Sequence, residues 1–231
     1  MKKIIKIIQC ILNPQYFISY FNFVSPLFEL LPLLKKLKKV NTLIDVGSNK
    51  GQFSILMNNY YPNIKIYSFE PQKKFLAIQK RILPINNYFY NIAIGSTIGY
   101  KKFYITKRED SSSILEPANN ESKYKIKKIK KIRIDRLDNI INLKKLKKPV
   151  IIKLDIQGYE LEALKGSKKI LNKIDYLITE ISFEKIYKKQ VLEHNLINFL
   201  KKNNFLEVKR TNITKIGNKT FQADILFIKK R

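Results

Sequence analysis

Two hydrophobic rhythms alternate along this chain. Short, nearly unbroken apolar runs occupy residues 42–46, 64–69, 88–94, 149–155 and 174–181. They are of strand length and rich in Ile, Val, Tyr and Phe. Between them apolar residues recur every three to four positions. Helices are predicted over 51–60, ended by Pro62, and from Pro71 to about Leu83, before Pro84. A third starts near Tyr159, with Leu161, Leu164 and Leu171 on one face. A fourth spans about 190–202, with Leu192, Leu196, Phe199 and Leu200 as its stripe. Apolar strands separated by helices predict a mainly parallel sheet covered on both faces.

The rhythm breaks in three places. Residues 96–133 hold a predicted hairpin strand at 100–105, a polar loop with Ser111, Ser112 and Ser113, and a Lys-rich stretch at 123–131. Ile129, Ile132 and Ile134 are expected in one edge strand. The chain closes with runs at 206–210 and 221–229, joined by a turn containing Gly217-Asn218, and these two need not be parallel. Before the first strand, residues 1–40 read as a helical arm covering a main domain of residues 41–231. Residues 7–28 carry no formal charge, long enough on length alone to cross a bilayer. Asn13, Pro14, Gln15, Asn22 and Pro26 oppose a span, and no small-residue cleavage site follows. Peripheral membrane contact through residues 1–40 is the alternative reading.

Composition narrows the function. The single Cys10 excludes an internal disulfide, no Cys/His cluster suggests a structural metal, and a reducing, cytoplasmic setting is the simpler reading. The net charge of +28 invites a nucleic-acid partner. However, the cations are 40 Lys and only 6 Arg, spread along the chain. Arg is the favoured device for phosphate and base recognition, so a dedicated nucleic-acid face is disfavoured. Attraction to anionic lipid or polysaccharide remains physically reasonable.

The chemistry concentrates in LIDVGSNKGQF, residues 43–53. A strand ending in Asp45, a turn with Gly47 and Gly51, then a helix makes a nucleotide-binding strand–helix unit. The spacing is G-x-x-x-G, not the dinucleotide G-x-G-x-x-G, and no Lys-Ser/Thr pair marks a phosphate-cradling loop. The turn suits a nucleoside without a pyrophosphate. The second strand ends YSFEP and places Glu70 23 residues beyond Gly47, where a carboxylate can accept from ribose hydroxyls.

In order and spacing, IDVGSNKGQFS, YSFEPQ, NIAIGSTIGYKKFY, SSSIL, KIRIDRLDNII and IIKLDIQGYELEALKGS resemble the FkbM family of S-adenosylmethionine-dependent methyltransferases, from about Thr42 to Glu180. The resemblance implies an α/β, Rossmann-like class I methyltransferase fold. Its sheet has seven mostly parallel strands with an antiparallel last strand, and helices on both faces. It implies S-adenosyl-L-methionine as cofactor. Asp45, Gly47, Ser48, Asn49 and Gly51 match the loop under its methionine part, Glu70 the ribose acid, and Asn91 and Ala93 the adenine wall. Asp155 matches the acid beside the transferred methyl group.

For a hydroxyl acceptor a general base helps. Asp155, at the carboxyl end of a central strand, is the candidate; orienting cofactor or backbone is its alternative role. Gln157 stands where the family commonly has an acid. Glu160 reads as a first-turn helix acid. Glu180 could join Asp155 around a divalent metal, but no metal is the preferred reading. His194, off the apolar stripe of its helix, reads as a surface histidine. Ser111–Ser113 could meet the acceptor or form a flexible turn. The expectation is O-methylation of a sugar hydroxyl in polysaccharide, glycolipid or secondary-metabolite biosynthesis. An RNA methyltransferase and a nonenzymatic nucleoside-binding or membrane-attached protein are the alternatives, and a nicotinamide oxidoreductase ranks last.

Overall fold

A computed structural model describes residues 14–118, 121–216 and 219–230. Cys10, residues 7–13 of the uncharged run, and the Gly217-Asn218 turn lie outside the described residues. Helix α1 (Pro14–Phe21) and the single turn α2 (Leu31–Leu34) precede β1 (Thr42–Val46), α3 (Gln52–Tyr60), β2 (Lys65–Phe69), α4 (Lys73–Ile82) and β3 (Tyr88–Tyr90). Then come β4 (Ala93–Ile94), β5 (Gly99–Thr106), β6 (Ile126–Asp135), the turn α5 (Leu137–Ile140) and β7 (Val150–Leu154). The chain ends with α6 (Glu160–Lys165), α7 (Lys168–Leu171), β8 (Tyr176–Ser182), α8 (Glu193–Lys202), β9 (Phe205–Ile216) and β10 (Lys219–Lys229).

Seven strands form one sheet in the order β3-β2-β1-β7-β8-β10-β9. The pairs from β3 to β8 are parallel, whereas β10 runs antiparallel to both β8 and β9. This is the predicted mostly parallel sheet with its last strand reversed. Alternation along each strand sorts the apolar residues between two faces. Leu43, Ile66, Ile151 and Ile178 pack with Phe53 and Leu56 of α3 and with Leu33 and Leu34 of α2. Ile44, Val46, Ile152 and Leu154 pack on the opposite side with Leu164, Ile170 and Leu200 of α6 to α8. Both faces are dry, which is why the strand sequences lack polar alternation.

Strand order reverses between β1 and β7, so their carboxyl ends diverge and open a crevice. The N-terminal segment closes one side of it. Helix α1 packs on α3 and α4, Leu27 N–H donates to the Gln52 carbonyl (3.4 Å), and Thr211 Oγ1 donates to the Glu29 carbonyl (3.2 Å).

Several expectations are corrected. The predicted strand 88–94 is two strands in different sheets. Glu70 N–H makes the last bond to Tyr90 O, after which Ala93 and Ile94 pair with Ile134 and Asp135 of β6. The isoleucine strand at 129–134 is not an edge: β6 is the middle strand of a second sheet, β4-β6-β5. Its Ile132 and Ile134 are buried with Phe103 and Ile105, while Ile129 stays exposed. The helix predicted from Tyr159 is broken after Lys165, and the Asp138 carboxylate caps the second piece, accepting from Lys169 N (2.9 Å) and Ile170 N (3.0 Å). The closing strands are also longer than their apolar runs, because they pair with each other over most of their length.

Candidate active site

A cavity of about 560 Å³ lies over the carboxyl ends of β1, β2, β7 and β8, a size that holds a nucleoside and a small acceptor together. Of the residues expected to bind a cofactor, Asp45, Gly47, Ser48, Asn49, Glu70 and Ala93 line it, together with the expected catalytic Asp155. Gly51 and Asn91 are not on its wall. Asn91 instead donates from Nδ2 to the carbonyls of Glu70 (3.0 Å) and Pro71 (2.9 Å), pinning the loop that carries Glu70.

Gly47 has φ +80°, and a Cβ there would overlap the carbonyl oxygen of Asp155. The missing side chain thus lets the β1 turn lie against the tip of β7, drawing Asp45 and Asp155 together. Gly51 (φ +88°) begins α3, and a Cβ there would stand 3.0 Å from Gln79 Cγ on α4. Gln79 is buried and donates from Nε2 to Ser48 Oγ (2.8 Å) and the Asn49 carbonyl (2.6 Å). It holds the turn's shape and was missed in the sequence. Its only signal was an amide on the apolar stripe of Phe75, Leu76 and Ile82.

Glu70 is buried at the cavity wall. Its Oε2 accepts from Asn49 N–H (3.0 Å) and its Oε1 from Gln72 N–H (2.7 Å). Burial pushes its pKa up to about 7, against those two hydrogen bonds. Each oxygen keeps a further lone pair for a ligand hydroxyl. Asp45 accepts from Ser54 Oγ at Oδ2 (2.7 Å), while its buried Oδ1 has no partner among the described residues. Burial raises the Asp45 pKa, with Lys153 opposing. A carboxylate oxygen left over beside a cavity fits a cationic or hydrogen-bonding ligand group. Both acids therefore suit a nucleoside with an amino-acid tail, and Phe69, Ile92 and Ala93 supply an apolar wall for a base.

The tip of β7 carries the strongest charges. Lys153, 3% exposed, donates from Nζ to Asp155 Oδ2 at 2.8 Å. Burial alone would depress its pKa, but Asp155, Asp45 and Asp224 together raise it, so it stays an ammonium. Burial likewise works to raise the Asp155 pKa. Lys153 and the hydrogen bond from Gln157 Nε2 (2.9 Å to Oδ1) outweigh it, and the Asp155 carboxyl is held below its usual range. Lys153 also escaped the sequence reading; a lone Lys within the run VIIKL of a doubly covered strand was its trace.

Gln157 Nε2 reaches Glu180 Oε2 as well (3.3 Å), and Tyr187 Oη stands 2.9 Å from Gln157 Oε1, which fixes the amide's orientation. Glu180, also held by Gln222 Nε2 (2.9 Å), has its pKa raised well above the ordinary value by burial and by Asp155 and Asp224. The two strand-tip acids are thus pushed apart, Asp155 toward the ionised form and Glu180 away from it, and one amide bridges them. Among the described residues no group of three or more His, Cys, Asp or Glu could hold a metal ion.

Other expectations resolve more simply. Ser111, Ser112 and Ser113 are buried: Ser113 Oγ donates to the Gln157 carbonyl (2.8 Å), while Ser111 and Ser112 line the cavity, where an acceptor could meet them. Glu160 stands in the first turn of α6, as expected, and is buried there: its Oε1 accepts from Ile156 N and Gly158 N (both 3.1 Å), and burial raises its pKa to about 7. His194 is exposed beside Asn198, as a surface histidine should be.

A family profile described as Methyltransferase FkbM domain matches residues 45–207. No curated protein matches the chain. Among solved structures, a Listeria monocytogenes protein assigned as an S-adenosylmethionine-dependent methyltransferase is 12% identical, covering 88% of this chain and 98% of its own, with a TM-score of 0.51. Magnesium protoporphyrin IX methyltransferase from Synechocystis PCC 6803, crystallised with bound S-adenosylmethionine, is also 12% identical, covering 94% of this chain and 79% of its own at a TM-score of 0.48. At such identities the likeness is one of fold.

Proposed function

The chain belongs to the FkbM family of S-adenosylmethionine-dependent methyltransferases, and on that premise we propose that it methylates a hydroxyl oxygen of a sugar, in the making of a polysaccharide, glycolipid or secondary metabolite. S-adenosylmethionine is the methyl donor, and when bound it supplies an electrophilic methyl group on a sulfonium. In the proposed assignment Glu70 accepts from the ribose hydroxyls, Asp45 and the turn of Gly47, Ser48 and Asn49 receive the amino-acid tail, and Ala93 flanks the base. Asn91 and Gly51 act indirectly, by holding the Glu70 loop and the start of α3.

Asp155 is proposed as the catalytic residue, and the observation that carries this is its salt bridge to the buried Lys153. A sulfonium and an acceptor need an anion that is already ionised. Asp155 can take the acceptor's O–H hydrogen bond, aim the oxygen, and receive its proton as the new C–O bond makes that proton strongly acidic. A weakly basic carboxylate suffices for this. The side chain keeps 31% of its surface open, so an acceptor can reach it. The sugar class is favoured by the polar surroundings of that acid: Gln157, Glu180, Asn212 and Gln222 offer hydrogen-bond partners to several hydroxyls.

The test is methyl transfer from radiolabelled S-adenosylmethionine into fractionated host material. Label in polysaccharide or glycolipid, released as an O-methyl sugar on hydrolysis and lost with Asp155→Asn, is expected. Label confined to RNA, or an N-methyl product, overturns the acceptor assignment.

A further inference from the structure

Helix α1 is amphipathic the wrong way round. Its inward residues are Tyr16 and Ser19, both buried, and Ser19 Oγ donates to the Tyr16 carbonyl (2.7 Å). Its outward residues are Phe17, Ile18, Tyr20 and Phe21, an arc of about 160° at 100° per residue. All four are exposed, Phe21 at 66%, and Phe17, Tyr20 and Phe21 stack edge-on in a row. A surface helix normally turns its polar side to water.

The helix end sharpens the anomaly. Phe23 N–H donates to Tyr20 O (2.9 Å) and Val24 N–H to Ser19 O (2.9 Å), the bond pair of a Schellman cap. The residue at its centre is usually glycine, because φ is positive there. Here it is Phe23, at φ +55° and 88% exposed. A bulky ring in this conformation is strained, and no packing within the fold repays it.

Charge identifies what covers this face. Residues 1–44 contain seven Lys and one acid, Glu29. Lys35, Lys36, Lys38 and Lys39 are all exposed. They sit at the same end of α3 as the start of α1: Tyr61 Oη donates to the Leu37 carbonyl (3.4 Å), while Asn59 Nδ2 donates to Tyr16 Oη (2.9 Å). Exposed aromatics along α1, with lysines clustered near its start and a single acid in the segment, complement an anionic bilayer surface. No helix among the described residues is long and apolar enough to cross a membrane. We propose that the outer face of α1, with Phe23 at its tip, docks on anionic lipid. The cavity faces the same region of chain, since Leu27 and Glu29 line it, so an acceptor at the lipid surface would lie within reach.

The test is co-sedimentation of the full chain with vesicles, independent of any methyl transfer. Vesicles of equal phosphatidylglycerol and phosphatidylcholine are compared with pure phosphatidylcholine. Wild type is expected to bind the anionic vesicles at least tenfold more tightly, with binding weakened by salt. Phe23→Gly is expected to weaken that binding fivefold or more while leaving the melting temperature unchanged or higher by about 2 °C, since glycine relieves the strained cap. Phe17→Ser combined with Phe21→Ser should weaken it further without unfolding the protein, both rings being exposed. Equal binding by wild type and variants, equal affinity for neutral vesicles, or a dimer that these variants dissolve in a protein that ignores lipid would each overturn the proposal.

Discussion

Substituting Glu70 tests the cofactor assignment most directly. Its two oxygens hold the N–H groups of Asn49 (3.0 Å) and Gln72 (2.7 Å) and, in the proposed complex, two ribose hydroxyls. A hydrogen bond to a charged acceptor contributes about 1.5–3 kcal/mol. Losing two in Glu70→Ala therefore predicts at least about 3 kcal/mol, more than a hundredfold in S-adenosylhomocysteine affinity. The pH dependence is a second, independent mark. Burial sets the Glu70 pKa at about 7, and the ligand's donors require the ionised form. Its ionised fraction falls about tenfold between pH 8 and pH 6, and the wild-type Kd should rise by about that factor. Glu70→Gln cannot titrate there, so its Kd should be flatter across the same range, at weaker affinity. Calorimetric titration of the three proteins at pH 6, 7 and 8 decides it. A wild-type Kd that does not move with pH, together with Glu70→Ala binding within threefold of wild type, would refute the assignment.

Four further outcomes are expected. Lys153→Met strips the cation from among Asp45, Asp155 and Asp224 and should lower urea stability by about 3–5 kcal/mol; a loss below 1 kcal/mol would mean those acids are protonated without it. Asp155→Asn should lower turnover at least a hundredfold while leaving S-adenosylhomocysteine affinity within threefold, and a matching loss of affinity would reassign it to cofactor binding. Gly47→Ala, with φ +80° and a methyl group inside the Asp155 carbonyl, should destabilise by about 2 kcal/mol or more, measured by thermal melting. Stability itself should fall as pH rises from 5 to 7. Glu70 and Glu160 have folded pKa values near 7, raised from 4.5 by burial, so between those values the folded state holds more protons than the unfolded one. Unfolding free energy then declines with rising pH and levels off above 7, by at least about 2 kcal/mol in all; urea midpoints that rise over this range would contradict it.

What the sequence made legible was whatever depends on short-range spacing. The turn from Asp45 to Gly51 and the placement of Glu70 after β2 are local, so one strand–turn–helix pattern exposes them. Asp155 was visible as the acid ending an apolar run. Lys153 and Gln79 were hidden because their meaning is long-range: a buried Lys becomes sensible only once β1 and β10 bring Asp45 and Asp224 to it. The split of residues 88–94 was hidden for a similar reason. Every residue from Tyr88 to Ile94 except Asn91 and Ala93 has strand character, and the break is imposed by where β2 stops and β6 arrives. Ser111–Ser113 read as acceptor contacts or a turn because serines signal turns, and two of their ties were invisible because they are distant in sequence: Ser113 Oγ to the Gln157 carbonyl and Tyr187 Oη to the Ser111 carbonyl.

The reversed strand β10 also constrains how this molecule can be made. It is wedged between β8 and β9, so those two cannot close on each other, and residues 205–216 have no sheet partner until residues 219–229 arrive. During synthesis the half from β1 to β8 can assemble while one flank stays raw, with hydrogen-bonding groups of β8 unfilled. Gln222, which holds Glu180, and Asp224, which faces Lys153, come on that same final strand. A chain cut before residue 219 would therefore lack one partner of Glu180 and one counter-charge of Lys153 together, and would leave the edge of β8 open to pairing with another chain.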